Sequence, residues 1–260
     1  MFETITISTD KRGVARLTLA RANKHNALNS QMIEELTHAV ADLGVNDSVR
    51  VVVLDADGKS FCAGGDLSWM KDQMNADPGQ RESAARDLAI MLDALNTLPK
   101  PLIGCVRGQA FGGGIGMISV CDIAIGALGL KFGLTETRLG LIPATISPYV
   151  IKRMGEAKAR QVMMSAAFFD SIEAHALGLF AKVVAPEDLD AAIEAEIKPY
   201  LTVAPRAVEK TKRLIRVQDG EITQAQIDAS IAALVEAWED REASDGIAAF
   251  FAKEKAPWAS

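Results

Sequence analysis

Val51-Val52-Val53-Leu54, followed a few residues on by Ser60-Phe61-Cys62-Ala63-Gly64-Gly65-Asp66-Leu67, is the stretch on which the fold turns. The four apolar residues form an unbroken run, the pattern of a strand buried on both faces in a helix-covered parallel sheet. In the segment that follows, the glycines allow backbone N–H groups to face a ligand with no side chain in the way. The pairing then recurs. Pro101-Leu102-Ile103-Gly104-Cys105-Val106 reads as a second short buried strand, and Gly108-Gln109-Ala110-Phe111-Gly112-Gly113-Gly114 as a second glycine segment that opens a helix after Phe111. Asp122-Ile123-Ala124-Ile125 returns as a strand. Strand–helix alternation of this kind predicts an α/β core with parallel strands.

Working outward, residues 3–8 and 14–20 predict a hairpin around the polar turn Thr9-Asp10-Lys11-Arg12-Gly13. Residues 30–44 place Met32, Ile33, Leu36, Val40 and Leu43 on one helical face, with Asn29 or Ser30 as N-cap. Ala76-Asp77-Pro78-Gly79-Gln80 reads as a mobile loop, with a helix after it to about Leu98. The last third changes character. Segments 156–166, 171–178, 186–200, 204–218 and 223–252 are rich in Ala, Glu, Lys and Arg and read as helices. The expected organisation is a core over 1–200 and a helical region over 201–260.

Composition narrows the function. The chain has 260 residues, 49% of them hydrophobic, enough for a sizeable core, and a net charge of −6. No basic cluster tracks nucleic acid, and no apolar run reaches the length of a membrane span. The start of the chain resembles neither a signal nor a transit peptide. Cys62, Cys105 and Cys121 fit no zinc spacing and read as reduced thiols, so a cytoplasmic protein without a metal is expected. No Ser/His/Asp or Cys/His pattern is present. His25, His38 and His175 read as structural, Cys62 as a small hydrophobe, and Asp66 as a tie for its loop rather than a base. Trp69 and Met70 belong either to a pocket or to the core. The glycines at 112–114 lack the G-x-G-x-x-G spacing of a dinucleotide site.

Two glycine segments brought into one site can supply two N–H donors to one oxygen, the minimum for stabilising an oxyanion formed from a carbonyl or thioester. Either segment alone is more simply a turn. Glu136 lies in an otherwise apolar stretch. On residue types alone it serves as well for a surface ion pair with Arg138 or Lys131 as for a proton carrier.

These segments, in this order, resemble the crotonase, or enoyl-CoA hydratase/isomerase, superfamily. The resemblance rests on Asn23-Lys24-His25-Asn26-Ala27-Leu28-Asn29, on both glycine segments, on Phe132-Gly133-Leu134-Thr135-Glu136-Thr137-Arg138-Leu139-Gly140-Leu141-Ile142-Pro143, and on 246–255. It implies a spiral of ββα turns with a helical trimerisation region, which makes 201–260 an oligomerisation region. It also implies an acyl-CoA thioester substrate with no separate cofactor, and a homotrimer or homohexamer. By resemblance, Gly65 and Gly113 are the oxyanion donors. The backbone at Ala63, Gly65 and Leu67 receives the adenine end of CoA, with Asp66 in the same loop and Lys24 near the phosphates. Phe250 and Lys253 close the site from a neighbouring subunit. Hydratases of the family hold water between two glutamates. Here Glu136 stands at the second position and Gly116 at the first. Gly116 then leaves space for a branched or carboxylated acyl group. The segment 135–150, with Ala144-Thr145-Ile146-Ser147-Pro148 where many hydratases carry glycines, is similar to bacterial methylglutaconyl-CoA and isohexenylglutaconyl-CoA hydratases. The implied activity is hydration of an enoyl-CoA. A Δ3,Δ2-enoyl-CoA isomerase using Glu136 alone is the alternative, and a non-catalytic CoA-binding protein a further one.

Overall fold

The computed structural model describes residues 2–259. In chain order the strands are β1 (Ile5–Thr9), β2 (Val14–Leu19), β3 (Val51–Ala56), β4 (Ser60–Cys62), β5 (Leu102–Val106), β6 (Gln109–Phe111), β7 (Ile123–Ala127), β8 (Lys131–Gly133), β9 (Phe168–Asp170) and β10 (Lys182–Val184). The helices are α1 (Ser30–Val45), α2 (Leu67–Asn75), α3 (Pro78–Thr97), α4 (Gly113–Ser119), α5 (Ser147–Met154), α6 (Glu156–Met163), α7 (Ser171–Ala176), α8 (Leu189–Leu201), α9 (Pro205–Gln218), α10 (Gln224–Glu239) and α11 (Arg241–Ala252).

Two sheets result, one ordered β1-β2-β3-β5-β7-β10 and one ordered β4-β6-β8-β9. Each turn of the chain gives one strand to the large sheet and the next to the small one: β3 then β4, β5 then β6, β7 then β8. This is the expected α/β class, wound as a spiral. The β1–β2 hairpin is antiparallel, whereas β2, β3, β5, β7 and β10 run parallel.

The reading of β3 holds residue by residue. Val52 and Leu54 join the main core with α1 and α3, while Val51 and Val53 face the opposite way, into a second cluster with Leu189, Ile193 and Ile197 of α8. The two-residue period of a strand accounts for the division. Asn29 caps α1, its side chain accepting from the Met32 amide.

Two expectations change. Residues 76–80 are a helix start rather than a mobile loop. Asp77 and Gln80 form a reciprocal capping box, and Pro78 takes the first helical position, where its missing N–H costs nothing. The segment 223–252 is two helices, because Asp240 ends α10 and caps α11. The strands β4, β6, β8 and β9, three residues each, are too short to show a period in the sequence. Of the region 201–260, α10 packs on α3 through Ile227 and Ile231 against Ala85 and Ala89. Ala243 and Ile247 of α11 pack with Leu141 and Trp238. In contrast, α9 buries none of its residues. No helix of the described residues is long and apolar enough to cross a membrane.

Candidate active site

The small sheet explains why distant segments meet. β4, β6 and β8 are adjacent and parallel. The chain leaving the C-terminal end of each is, in turn, Ala63–Gly65, Gly112–Gly113 and Thr135–Glu136. Each turn of the spiral thus delivers one functional segment to the same edge, the edge where ligands bind in open parallel sheets.

The first segment is fixed by its neighbours. The Ala63 amide donates to the His25 carbonyl at 3.0 Å, the Leu28 amide to Gly64 at 2.7 Å, and the Asp66 amide to Leu28 at 2.8 Å. This alternation leaves the Gly65 amide with no protein acceptor among the described residues. Asn26 supports the arrangement from beneath, donating to the carbonyls of Asp57 and Ser60. Asp66 ties the loop as expected. Its side chain caps α2 at the Ser68 amide and pairs with Arg21 at 2.9 Å. Burial alone would raise the Asp66 carboxyl, but these donors outweigh it and hold it below its ordinary value. Cys62 is fully buried and burial pushes its thiol up to about 12, so it is a packing residue.

In the second segment the Gly112 amide donates to the Gly133 carbonyl at 3.1 Å, joining β6 to β8. Gly113 opens α4, so its amide has no partner within the helix. Gly112 sits at φ +48°, and a Cβ there would lie 2.9 Å from Glu136 Oε1 and 3.8 Å from Gly64 Cα. The carboxyl of Glu136 therefore rests against Gly112, where the second segment approaches Gly64 of the first.

Glu136 begins a short 3₁₀ turn after β8. Its Oε2 is buried and has no hydrogen-bond partner. Loss of hydration raises its carboxyl to about 7, outweighing the opposing hydrogen bond from its own backbone N–H. The surface ion-pair alternative fails on geometry. Lys131 and Arg138 both lie over the Phe168 ring, at 3.7 and 4.3 Å from its centroid, and Arg138 donates to the Ala166 carbonyl.

Gly65, Gly113, Glu136, Ala63, Leu67 and Phe250 line one cavity of about 520 Å³. Trp69 and Met70 line it too, which settles their assignment to the pocket. Four expected residues stand apart. Asp66 is behind its loop, and Lys24 and Lys253 are exposed and outside the lining. Gly116 is the clearest correction, because no acyl space lies there. A Cβ at Gly116 would stand 2.5 Å from Ile146 Cγ2 and 3.0 Å from Ile146 Cβ, so Ile146 already fills the place. Phe250 lines the cavity of its own chain. Sequence reasoning missed Leu234, Trp238, Thr145 and Ile146 as lining. Helical period buries Trp238, but nothing local says which cavity it faces.

The family model for enoyl-CoA hydratase/isomerase matches residues 9–260. The chain belongs to the enoyl-CoA hydratase/isomerase family. A crystal structure of an enoyl-CoA hydratase from Shewanella pealeana is 36% identical, with TM-score 0.82 over 99% of this chain and 97% of that one. An enoyl-CoA hydratase from Mycobacterium avium superposes with TM-score 0.89 at 27% identity over 100% of both chains. The enoyl-CoA hydratase ACTT6 of Alternaria alternata is 33% identical over 205 residues, 78% of this chain and 67% of that relative. Within the enoyl-CoA hydratase/isomerase family frame, this site offers one titratable carboxyl, two unused amides and a largely apolar lining. Such a site can hold a thioester oxygen and move one proton beside it.

Proposed function

We propose that the protein hydrates an α,β-unsaturated acyl-CoA with an apolar acyl group. The observation that carries the reading is the Glu136 carboxyl, its Oε2 buried without a partner and its carboxyl raised to about 7, in one cavity with two glycine segments whose amides at Gly65 and Gly113 are unused. A carboxyl near neutrality serves as both base and acid. The thioester oxygen accepts from the Gly65 and Gly113 amides. Glu136 takes a proton from water as the water oxygen bonds to the β-carbon and the double-bond electrons move onto the thioester oxygen. The enolate then collapses and its α-carbon takes that proton from Glu136. Water is added, and the carboxylate is regenerated.

The acyl end faces Trp69, Met70, Leu141, Ile146, Leu234 and Trp238, which suits hydrocarbon. CoA is assigned by family resemblance to the backbone at Ala63, Gly65 and Leu67, with Lys24 near its phosphates. Assembly as a trimer or hexamer fits α9, where Leu214, Ile215 and Val217 are each more than half exposed. Light scattering at micromolar protein tests the assembly, and a monomer would contradict it.

Isomerisation of a 3-enoyl-CoA is the second reading, favoured by Ile146 standing where a second carboxylate would have to enter. Glu136 would then carry a proton from the α-carbon to the γ-carbon. Crotonyl-CoA hydration and 3-enoyl-CoA isomerisation, measured side by side, decide between them. Faster hydration supports the first reading; isomerisation with negligible hydration rejects it.

A further inference from the structure

Water held by one carboxyl alone is poorly aimed, because its second hydrogen and its lone pairs remain free to turn. A buried water ordinarily has two to four polar partners. The cavity must therefore supply another. Its polar side chains besides Glu136 are those of Thr135, Arg138 and Thr145, with the two indole N–H groups of Trp69 and Trp238. An indole N–H only donates, and Arg138 is committed to the Ala166 carbonyl and the Phe168 ring. Thr135 keeps partial exposure. Thr145 differs from all of these. The residue is only 4% exposed, yet its Oγ1 has no hydrogen-bond partner. Four buried side-chain atoms share this condition among the described residues: Ser119 Oγ, Tyr149 Oη, Thr145 Oγ1 and Glu136 Oε2. Only the last two belong to residues lining the cavity. A buried hydroxyl without a partner is costly, and a bridging water would satisfy it together with the carboxylate.

We propose that Thr145 is a positioning residue for hydration, its hydroxyl accepting the second hydrogen of the attacking water while Glu136 accepts the first. The water lone pair is then left pointing at the β-carbon. The local sequence explains the placement. Thr145 lies next to Ile146, and Ile146 fills the space above Gly116, so the segment that closes off one polar position carries an unpartnered hydroxyl beside it. Isomerisation uses no attacking water, and so does not need this hydroxyl.

The inference rests on the hydratase reading, and its test separates the two. Thr145→Val keeps the shape and removes the hydroxyl; Thr145→Ser keeps the hydroxyl; Thr145→Ala removes it without the bulk of valine. Crotonyl-CoA hydration and 3-enoyl-CoA isomerisation are measured for each and for the parent. The expected result is a fall in hydration kcat of about 10- to 100-fold in the Val and Ala variants. KM and isomerisation should stay within about threefold, and Ser should restore hydration. If the parent hydrates and the Val and Ala variants hydrate equally well, the inference is overturned while the hydratase reading stands. Equal loss of both reactions also overturns it, by making Thr145 a support for its segment only. A parent that does not hydrate removes both.

Discussion

The two walls of the cavity are built by different means. One wall is backbone: the 63–65 and 112–113 segments and the Glu136 turn, held by amide–carbonyl bonds between 63–66 and 25–28 and from Gly112 to Gly133. The facing wall is side chain: Trp69 and Met70 from α2, Leu234 and Trp238 from α10, and Phe250 from α11. A backbone wall positions donors to within tenths of an ångström and admits few substitutions. Side-chain walls tolerate hydrophobic exchange of similar volume. The chemistry is therefore placed on the first wall, and acyl preference is left to the second.

Removing the proton carrier should give the largest effect. Glu136→Gln keeps the shape of the first wall and is expected to lower turnover by about 10²- to 10⁴-fold with acyl-CoA binding little changed. Steady-state kinetics with a binding titration checks it, and activity within about threefold of the parent would break the division of labour. Next comes an oxyanion donor. Gly113→Val would bring a Cβ to 2.6 Å from Leu28 Cδ1, so the buried Leu28 side chain or the first turn of α4 must shift. Displacing one donor is expected to cost about 10²- to 10³-fold in kcat.

Between the walls lies the docking of α11. A Cβ at Gly246 would stand 2.6 Å from the carbonyl carbon and oxygen of Leu139, three residues from Glu136. Gly246→Val should cost about 1–3 kcal/mol of stability by overpacking, read by urea unfolding, and should loosen the side-chain wall. Smallest of all, Trp238→Phe should alter the ratio of kcat/KM between short and longer acyl chains by about 10-fold or less, leaving the pH dependence of turnover alone. A large loss of turnover in this variant would show that the two walls are not separable.

The backbone wall was the more legible in the sequence. Glycines at 64, 65, 112 and 113 announce positions where side chains are unwelcome, and the apolar runs at 51–54 and 102–106 announce the strands that carry the spiral. What the sequence withheld was depth. Glu136 has the same letters around it whether Lys131 and Arg138 reach for its carboxylate or for the Phe168 ring, and only the packing of β9 decides. Gly116 suggested open space because a glycine shows what it lacks and not what fills the gap. Ile146, thirty residues on, fills it. Asp77-Pro78-Gly79-Gln80 suggested a loop by composition, although Asp, Pro and Gln fall at the N-cap, first and third positions of a helix. The side-chain wall was only half legible: Trp69, Met70 and Phe250 drew notice, but Leu234 and Trp238 come from a distant helix and carry no local signal.

The proposed chemistry depends most on the desolvated state of the Glu136 carboxyl, and stability against pH tests it most directly. The folded value of about 7 lies above the ordinary 4.5, so the folded state holds the proton more tightly than the unfolded chain. Below the ordinary value the proton is bound in both states and there is no penalty. As pH rises through this window the parent loses stability relative to Glu136→Gln, and above the folded value the loss is complete. A rise from 4.5 to about 7 is worth about 3 kcal/mol. Unfolding free energies of parent and Glu136→Gln, measured side by side from about pH 4 to about pH 8.5, should diverge by about that amount in favour of the Gln variant. A difference that stays constant across the range would place the carboxyl in water and contradict its role at the site.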